Sequence, residues 1–219
     1  GYAGPMAVIP QFGVDPDLFS PSEMGRLERL SARRDAARGF TIAYVGRLVP
    51  EKGVDVLLDA LADLPGVWRL RIVGYGPEEE ELKAQARLLG LSHRVSFEGW
   101  LPSVRMPAFY RQLDALVLPS RSRPNWVEQF GRVLIEAMAC AVPVIGSDCG
   151  EIPHVIGEAG LVFPEGNAAA LRAALTRLTR DVDLWSDLAW RGRERVLSHF
   201  TQERIAARTV SVYRRMMAA

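Results

Sequence analysis

Residues 114–147 read DALVLPSRSRPNWVEQFGRVLIEAMACAVPVIGS, and this stretch indicates the fold class. It begins with a short apolar run (114–120) and ends with another (143–147), both of which are typical of buried strands. Between them, a helix is predicted from Gly131 to Cys140. A strand, a helix and a second strand in this order are typical of a parallel sheet, because parallel neighbours need a long crossover connection.

The same alternation of strands and helices continues on both sides of this stretch. Further strands are predicted at 41–46, 68–74, 95–99 and 160–163, and helices at 53–62, 77–89, 104–112, 168–179, 182–197 and 202–217. Near the start, AVIPQ (7–11) is predicted as a short strand that leads into an extended, turn-rich segment. Because the strands are mostly continuous apolar runs, we predict an α/β fold with a Rossmann-like, doubly wound parallel sheet of about six strands.

The composition is that of a folded domain without a marked excess of charge. Apolar residues make up 48% of the 219 residues and charged residues 24%, which is enough apolar material for a core. The formal net charge of +1 gives no electrostatic case for nucleic acid, so no nucleic-acid partner is expected. Cys140 and Cys149 suggest neither a disulfide framework nor a metal site with the histidines.

Several features predict a cytoplasmic location. Low cysteine use is typical of a reducing compartment, and no signal-peptide pattern is visible. The longest apolar stretch, 133–146, is shorter than the roughly 20 residues that a membrane span needs, and Glu136 interrupts it. The C-terminal helix is basic through Arg204, Arg208, Arg214 and Arg215. This basic side is either a solvated face or a contact with the inner face of the membrane.

The first loop with candidate chemistry is GRLVPEKG (46–53), between a strand and a helix. In a parallel α/β sheet, ligands bind outside the carboxyl ends of the strands. Arg47 and Lys52 lie in this loop, and the following helix presents free N–H groups and a partial positive charge. These groups favour a diphosphate. The alternative is a solvated basic loop in which Glu51 pairs with one of the cations.

The next two strands also end in loops with candidate residues. Gly74 and Gly76 form a G-x-G, which resembles half of a dinucleotide-binding motif but lacks the third glycine and more often marks a tight turn. Trp100 and Leu101 follow the strand predicted at 95–99. Their side chains either flank a nucleotide base or belong to the core.

Two glutamates within the 114–147 stretch are the most informative candidates. Glu128 is expected on the loop and Glu136 within the helix, with seven residues between them. A helix that is apolar on nearly every side is buried, so a carboxylate inside it needs a partner. This partner is either a protein arginine or the two vicinal hydroxyls of a ribose. The amides of Gln129, Phe130 and Gly131 open the helix and are predicted to donate to a sugar or phosphate oxygen.

Together, these segments resemble one known family. The chain is similar to the C-terminal domain of the large family of retaining glycosyltransferases that includes bacterial mannosyl- and glucosyltransferases and sucrose synthases. The resemblance lies in VIPQFGVDPDLF, YVGRLVPEKGVDVLLDAL, RIVGYGP, VSFEGWL and VEQFGRVLIEAMACAVPVIGSDCGEIPHVIGEAGLVFPEG, which cover most of residues 7–180. Its most specific feature is the combination of GR…EKG with two glutamates seven residues apart beside F-G.

The resemblance implies a donor site for a nucleoside-diphosphate sugar, linked to UDP, GDP or ADP. It implies that Arg47 and Lys52 bind the diphosphate and that Glu128 holds the transferred sugar, and these three form the catalytic set. The implied donor-binding set is Gly46, Gly74, Trp100, Leu101, Gln129, Phe130, Gly131, Val133 and Glu136, with Glu136 on the ribose hydroxyls and Trp100 and Leu101 near the base. No metal or other cofactor is expected, because two preplaced cations can stabilise a departing diphosphate.

The family resemblance also implies a larger protein with two facing Rossmann-like domains, the B-type glycosyltransferase fold. An N-terminal acceptor-binding domain is expected to precede VIPQFGVDP as a partner of this chain. Residues 1–20 are then the remnant of an interdomain connection, 21–39 a polar loop or short helix, 40–200 the nucleotide-sugar-binding domain and 201–219 a C-terminal helix. The isolated chain is expected to bind a donor without transferring its sugar.

Two positions depart from the family pattern, and other functions on the same fold stay open. Ala141 stands where glycine is usual, which we interpret as a matter of turn geometry, and His154 stands where an acidic residue is usual. The role of His154 is left open between a surface position and a loop that faces the phosphates. The alternatives to a glycosyltransferase are a sugar-nucleotide epimerase and a non-catalytic interaction module, although the presence of Lys52 and Glu128 disfavours the module.

Overall fold

The computed structural model describes residues 6–21, 30, 31, 33 and 39–218. Its sheet has six parallel strands in the order β3-β2-β1-β4-β5-β6, which confirms the predicted fold class. The strands are β1 (Phe40–Val45), β2 (Trp68–Val73), β3 (Val95–Phe97), β4 (Ala115–Leu118), β5 (Val144–Ser147) and β6 (Leu161–Phe163). The central strands β1 and β4 are almost entirely buried, as their apolar sequences require.

Helices follow the strands and cover the sheet. They are α1 (Val54–Ala62), α2 (Glu79–Leu88), α3 (Met106–Tyr110), α4 (Arg132–Ala139), α5 (Ile152–Ile156), α6 (Ala168–Arg180), α7 (Val182–His199) and α8 (Gln202–Ala218), with 3₁₀ turns at Pro50–Lys52 and Ser103–Arg105. Helix α1 packs against α2 and α6, whereas α4 packs against α7. This division into two helical groups is the arrangement expected of a doubly wound sheet.

The strand order reverses between β1 and β4, which are neighbours in the sheet. The chain leaves β1 toward β2 on one side and leaves β4 toward β5 on the other. Because the chain turns to opposite sides after these two strands, a crevice is expected at their carboxyl ends, which is where ligands bind in open α/β sheets. The loop that carries Arg47 and Lys52 and the loop that carries Glu128 are these two loops.

The strand predicted at 7–11 is wrong. Residues 7–10 have no regular secondary structure, and the side chain of Val8 is 86% exposed. A strand is stabilised by backbone hydrogen bonds to a neighbour, and this segment forms none with the six-stranded sheet. The chain instead meets the domain at Val14, which forms an isolated bridge with Thr201.

Two short helices differ from the sequence prediction. The helix predicted at 104–112 is a 3₁₀ turn followed by α3, and Pro107 lies in the first turn of α3, where a missing N–H is tolerated. The segment that contains His154 was predicted as a loop, but it forms α5, again with proline in the first turn. A helix of five residues is too short to produce a visible apolar period, so the pattern could not indicate it.

Ala141 has φ +54, a left-handed conformation, and is the one non-glycine residue in this region among the residues that the structure describes. It follows α4 and its side chain is fully buried. The interpretation of this position as a turn that favours glycine is confirmed, because left-handed backbone costs an alanine free energy that a glycine does not lose.

The terminal segments are less informative. The predicted polar loop or short helix at 21–39 falls mostly on 22–29, 32 and 34–38, which lie outside the described residues, while residues 30, 31 and 33 are helical. The predicted C-terminal helix is confirmed as α8, and most of its side chains are exposed. Within the described part of the chain, no helix combines the length and the apolar character that a membrane span requires.

Candidate functional site

The loop after β1 is held by a side-chain hydrogen bond and by a close backbone contact. The Tyr44 hydroxyl donates to the carbonyl oxygen of Arg47 at 2.7 Å, and burial raises the pKa of Tyr44, which keeps it a donor. Gly53 ends the loop with φ +66, and a Cβ at this residue would lie 2.1 Å from the carbonyl oxygen of Pro119. Glycine is therefore required where the loop after β1 touches the loop after β4.

Arg47 and Lys52 lie in different surroundings. The side chain of Arg47 is 66% exposed, and its Nη2 is 3.7 Å from Glu51 Oε1. Lys52 is largely buried, with Nζ 2.5 Å from Glu128 Oε2 and 5.0 Å from the centroid of the Trp126 ring. The alternative of a solvated cation that pairs with Glu51 therefore holds for Arg47. It does not hold for Lys52, which pairs with Glu128 from the loop after β4.

Glu128 is fixed where the two loops meet. Its Oε2 accepts hydrogen bonds from Lys52 Nζ and, at 3.0 Å, from the hydroxyl of Ser120, two residues after β4. Its backbone carbonyl accepts from the amide of Glu151 at 2.9 Å. Both side-chain bonds go to Oε2, so a ligand that approaches this carboxylate has to use Oε1 or replace the lysine.

Glu136 is buried in α4 and has two protein partners. The Tyr110 hydroxyl donates to Oε2 at 2.8 Å, and Arg132 Nε lies 2.8 Å from Oε1. Burial raises the pKa of Glu136, and the bonds from Tyr110 and Arg132 offset part of this shift. The prediction that this carboxylate needs a partner is confirmed, and the partners in the structure are an arginine and a tyrosine.

The raised pKa of Glu136 predicts a pH dependence of stability. The ordinary value is 4.5, so above this pH the folded chain keeps a proton that the unfolded chain releases. The stabilisation is therefore present below the unfolded pKa and is lost as the pH rises through the folded pKa. In Glu136→Gln this contribution is absent. In urea titrations, we expect the unfolding free energy of the wild type minus that of the variant to fall as the pH rises above 4.5, whereas a constant or rising difference would contradict the assignment.

Seven of the predicted residues line one cleft of about 390 Å³ at the carboxyl edge of the sheet. They are Gly46, Arg47, Gly74, Trp100, Leu101, Val133 and Glu136. The side chain of Trp100 is 67% exposed, whereas Leu101 packs partly against the core. The sequence left open whether these side chains flank a base or belong to the core. In the structure, Trp100 is free to flank a ligand, whereas Leu101 belongs in part to the core.

The other predicted residues lie outside the lining of this cleft. Gln129 and Phe130 line a second cavity of about 740 Å³, as does the exposed His154. The Phe130 ring is buried, with its centroid 5.8 Å from those of Phe12 and Phe200. Its side chain therefore belongs to the core, and the predicted role of its amide stays a prediction. Gly131 is the N-cap residue that precedes α4, and its φ is +75.

Three residues that contact the predicted carboxylates were not predicted, namely Tyr110, Ser120 and Arg132. The spacing of Arg132 and Glu136, four residues apart on one helix, is a signal that could have indicated their contact. Ser120 lies two residues after β4, near the carboxyl edge of the sheet, and this position is a weaker signal of a site residue. Tyr110 belongs to α3, and its contact with Glu136 depends on how two helices pack.

A model of the family called glycosyl transferases group 1 matches residues 31–195, which include both loops and the cleft. The chain belongs to this family. The resemblance seen in the sequence is thereby confirmed.

Named relatives and solved structures are similar over nearly the whole chain. A GDP-mannose-dependent alpha-(1-6)-phosphatidylinositol monomannoside mannosyltransferase of Mycobacterium tuberculosis is 32% identical over 98% of this chain and 57% of its own length. The structure of sucrose-phosphate synthase from Thermosynechococcus elongatus matches 99% of this chain and 54% of its own, with 32% identity and a TM-score of 0.80. HepE of Anabaena in complex with UDP-glucose matches 91% of this chain and 56% of its own, with 26% identity and a TM-score of 0.75. The chain thus spans about half the length of the curated relatives it matches.

Proposed function

We propose that this chain is the donor-binding half of a retaining glycosyltransferase that takes a sugar from a nucleoside diphosphate. The observation that carries the proposal is the meeting of the loops after β1 and β4 at the point where the strand order reverses, with Lys52 on one loop and Glu128 on the other. A ligand that combines an apolar ring, hydroxyls and a diphosphate matches a site with an exposed indole, carboxylates and cations.

Each part of such a donor has a partner in the proposal. The base lies in the cleft beside Trp100, and the ribose hydroxyls donate to Glu136, which lines the same cleft. The diphosphate is bound by Arg47 and Lys52 together with the N–H groups that open α4. The transferred sugar lies against Glu128 and the amides of residues 129–131. This assignment is supported by the names of the relatives, one of which depends on GDP-mannose and another of which was solved with UDP-glucose.

In the proposed reaction, the bond between the anomeric carbon and the diphosphate oxygen breaks. A bond from the acceptor hydroxyl oxygen to the same carbon forms on the same face, and the departing diphosphate takes the hydroxyl proton. Negative charge grows on the diphosphate, and the positive charges of Arg47 and Lys52 stabilise it. We propose no metal for this step. Among the described residues, no group of three or more His, Cys, Asp and Glu side chains is arranged to hold one.

The acceptor is proposed to bind to a second domain that faces this one. The present chain then binds the donor but does not transfer the sugar by itself. A cytoplasmic location, with or without contact of α8 to the inner face of the membrane, belongs to the same proposal.

Calorimetry with UDP, GDP and ADP tests the donor site. We expect the chain to bind at least one of the three. Replacing Arg47 by glutamine is expected to lower the affinity for the diphosphate by about tenfold and to leave the affinity for the corresponding nucleoside unchanged. The reason is that the lost charge contacts only phosphate oxygens.

Arg87 provides the matched control for this experiment. It is also exposed, but it lies in the last turn of α2, at the opposite edge of the sheet from the cleft. Arg87→Gln is expected to bind the diphosphate as the wild type does. If none of the three diphosphates binds, or if Arg47→Gln weakens nucleoside and diphosphate equally, the donor site has been assigned wrongly.

A further inference from the structure

Arg132 occupies a position that helix electrostatics disfavours. It is the first residue of α4, and the N-terminus of a helix carries a partial positive charge that repels a cation. Its ion pair with Glu136 spans four residues with the cation on the N-terminal side, which is the less favourable order in a helix. The helix alone therefore gives no reason for an arginine at this residue.

Arg132 lines the same cleft as Arg47, Trp100 and Glu136. The Arg132 side chain is 55% exposed, whereas that of Glu136 is 9% exposed. An arginine side chain is long and has five N–H donors, and the pair with Glu136 is made through Nε. Arg132 is thus anchored at one end to a buried carboxylate and can turn toward the open part of the cleft.

Glu136 has a protein partner on each of its oxygens. Tyr110 on Oε2 is fully buried and is held inside the domain, whereas Arg132 on Oε1 is half exposed. Two vicinal hydroxyls need acceptor positions on this carboxylate. Of the two partners, Arg132 is the one that can leave without disturbing the core.

We propose that Arg132 is a third diphosphate-binding cation, which exchanges Glu136 for the phosphates when the donor binds. This inference rests on the proposed donor site. The exchange releases Oε1 of Glu136 for the ribose hydroxyls at the moment when the diphosphate receives a second arginine. The two halves of the nucleotide therefore bind cooperatively, since the diphosphate attracts the residue that blocks the ribose site.

Two affinities of the chain test the exchange. One is its affinity for whichever of UDP, GDP and ADP binds most tightly, and the other is its affinity for the nucleoside of that diphosphate. In Arg132→Met we expect the diphosphate to bind about tenfold to a hundredfold more weakly, as for the loss of charge-assisted hydrogen bonds. The nucleoside is expected to bind as well as in the wild type, or better, because Glu136 Oε1 is no longer occupied. Arg132→Gln is a second neutral variant and is expected to behave in the same way.

Arg191 is the matched control, because it also forms an i,i+4 ion pair, with Asp187 at 2.9 Å, and its side chain is 54% exposed. It lies on α7, away from the cleft lining, and Arg191→Met is expected to change neither affinity. A purely structural role of Arg132 predicts that nucleoside and diphosphate weaken by the same factor, and this result would overturn the exchange. So would an unchanged diphosphate affinity in both neutral variants. Failure of the wild type to bind any of the three diphosphates would instead reject the donor site itself.

Discussion

Replacing Gly74 by alanine is expected to destabilise the chain by about 4 kcal/mol or more, which is exceptional for a single substitution. Gly74 has φ +136, and a Cβ at this residue would lie 1.8 Å from the carbonyl oxygen of Gly46. The atom it meets is backbone, and the amide of Gly74 is itself bound to the carbonyl of Gly99 at 2.7 Å. Neither side of the contact can move without separating the ends of β1 and β2.

Thermal unfolding measures this effect, and Gly90→Ala is its control. Gly90 also has a left-handed φ of +72, but a Cβ there meets nothing within 4 Å, so only the backbone cost of about 1 to 2 kcal/mol applies. For a chain of this size we expect the melting temperature to fall by about 10 °C or more in Gly74→Ala and by only a few degrees in Gly90→Ala. Equal losses in the two variants would show that the close approach to Gly46 has no energetic importance.

The same contact explains the G-x-G that resembles half of a dinucleotide motif. A Cβ at Gly76 would lie 2.1 Å from the carbonyl oxygen of Leu48, so this glycine also meets the loop after β1. The two glycines therefore let two neighbouring loops pack backbone to backbone. The interpretation of the motif as structural fits these contacts, while Gly74 also lines the cleft.

Substituting either Lys52 or Glu128 is expected to have the second largest effect on the stability of the chain. Their side chains are 15% and 11% exposed, and Lys52 Nζ lies 2.5 Å from Glu128 Oε2. Removing one partner leaves a charge with little water around it, which costs about 3 to 5 kcal/mol for a buried pair. We expect Glu128→Gln and Lys52→Met each to lose stability near the lower end of this range, because both side chains keep some contact with solvent.

A double-mutant cycle in urea checks this prediction. The double variant Lys52→Met/Glu128→Gln is expected to lose less stability than the sum of the two single variants, because it leaves no unpaired charge. Lys83 and Glu79 form a control pair on α2 at 2.8 Å, with side chains that are each 32% exposed. Because water screens this surface pair, its coupling is expected to be much smaller than that of Lys52 and Glu128. Additive losses at Lys52 and Glu128 would mean that the two charges are solvated independently.

Much of the fold could be predicted because its signals are local. The apolar runs of β1, β2 and β4 were recognised to within two residues at each end, and the helices α6 and α7 began where predicted. The local patterns failed where a segment depends on a distant partner. AVIPQ has the composition of a strand but pairs with none of the six described strands, and α5 is too short to show a period.

The sequence by itself determined which segments are strands and helices and which loops follow each strand, because burial on the sheet imposes a local apolar pattern. It also located the cations and carboxylates in those loops. Only the tertiary structure decided which of them meet. Lys52 contacts Glu128 across 76 residues, and Tyr110 contacts Glu136 across 26. Such pairs depend on the order of strands in the sheet and on how helices pack across it, and no local pattern contains either.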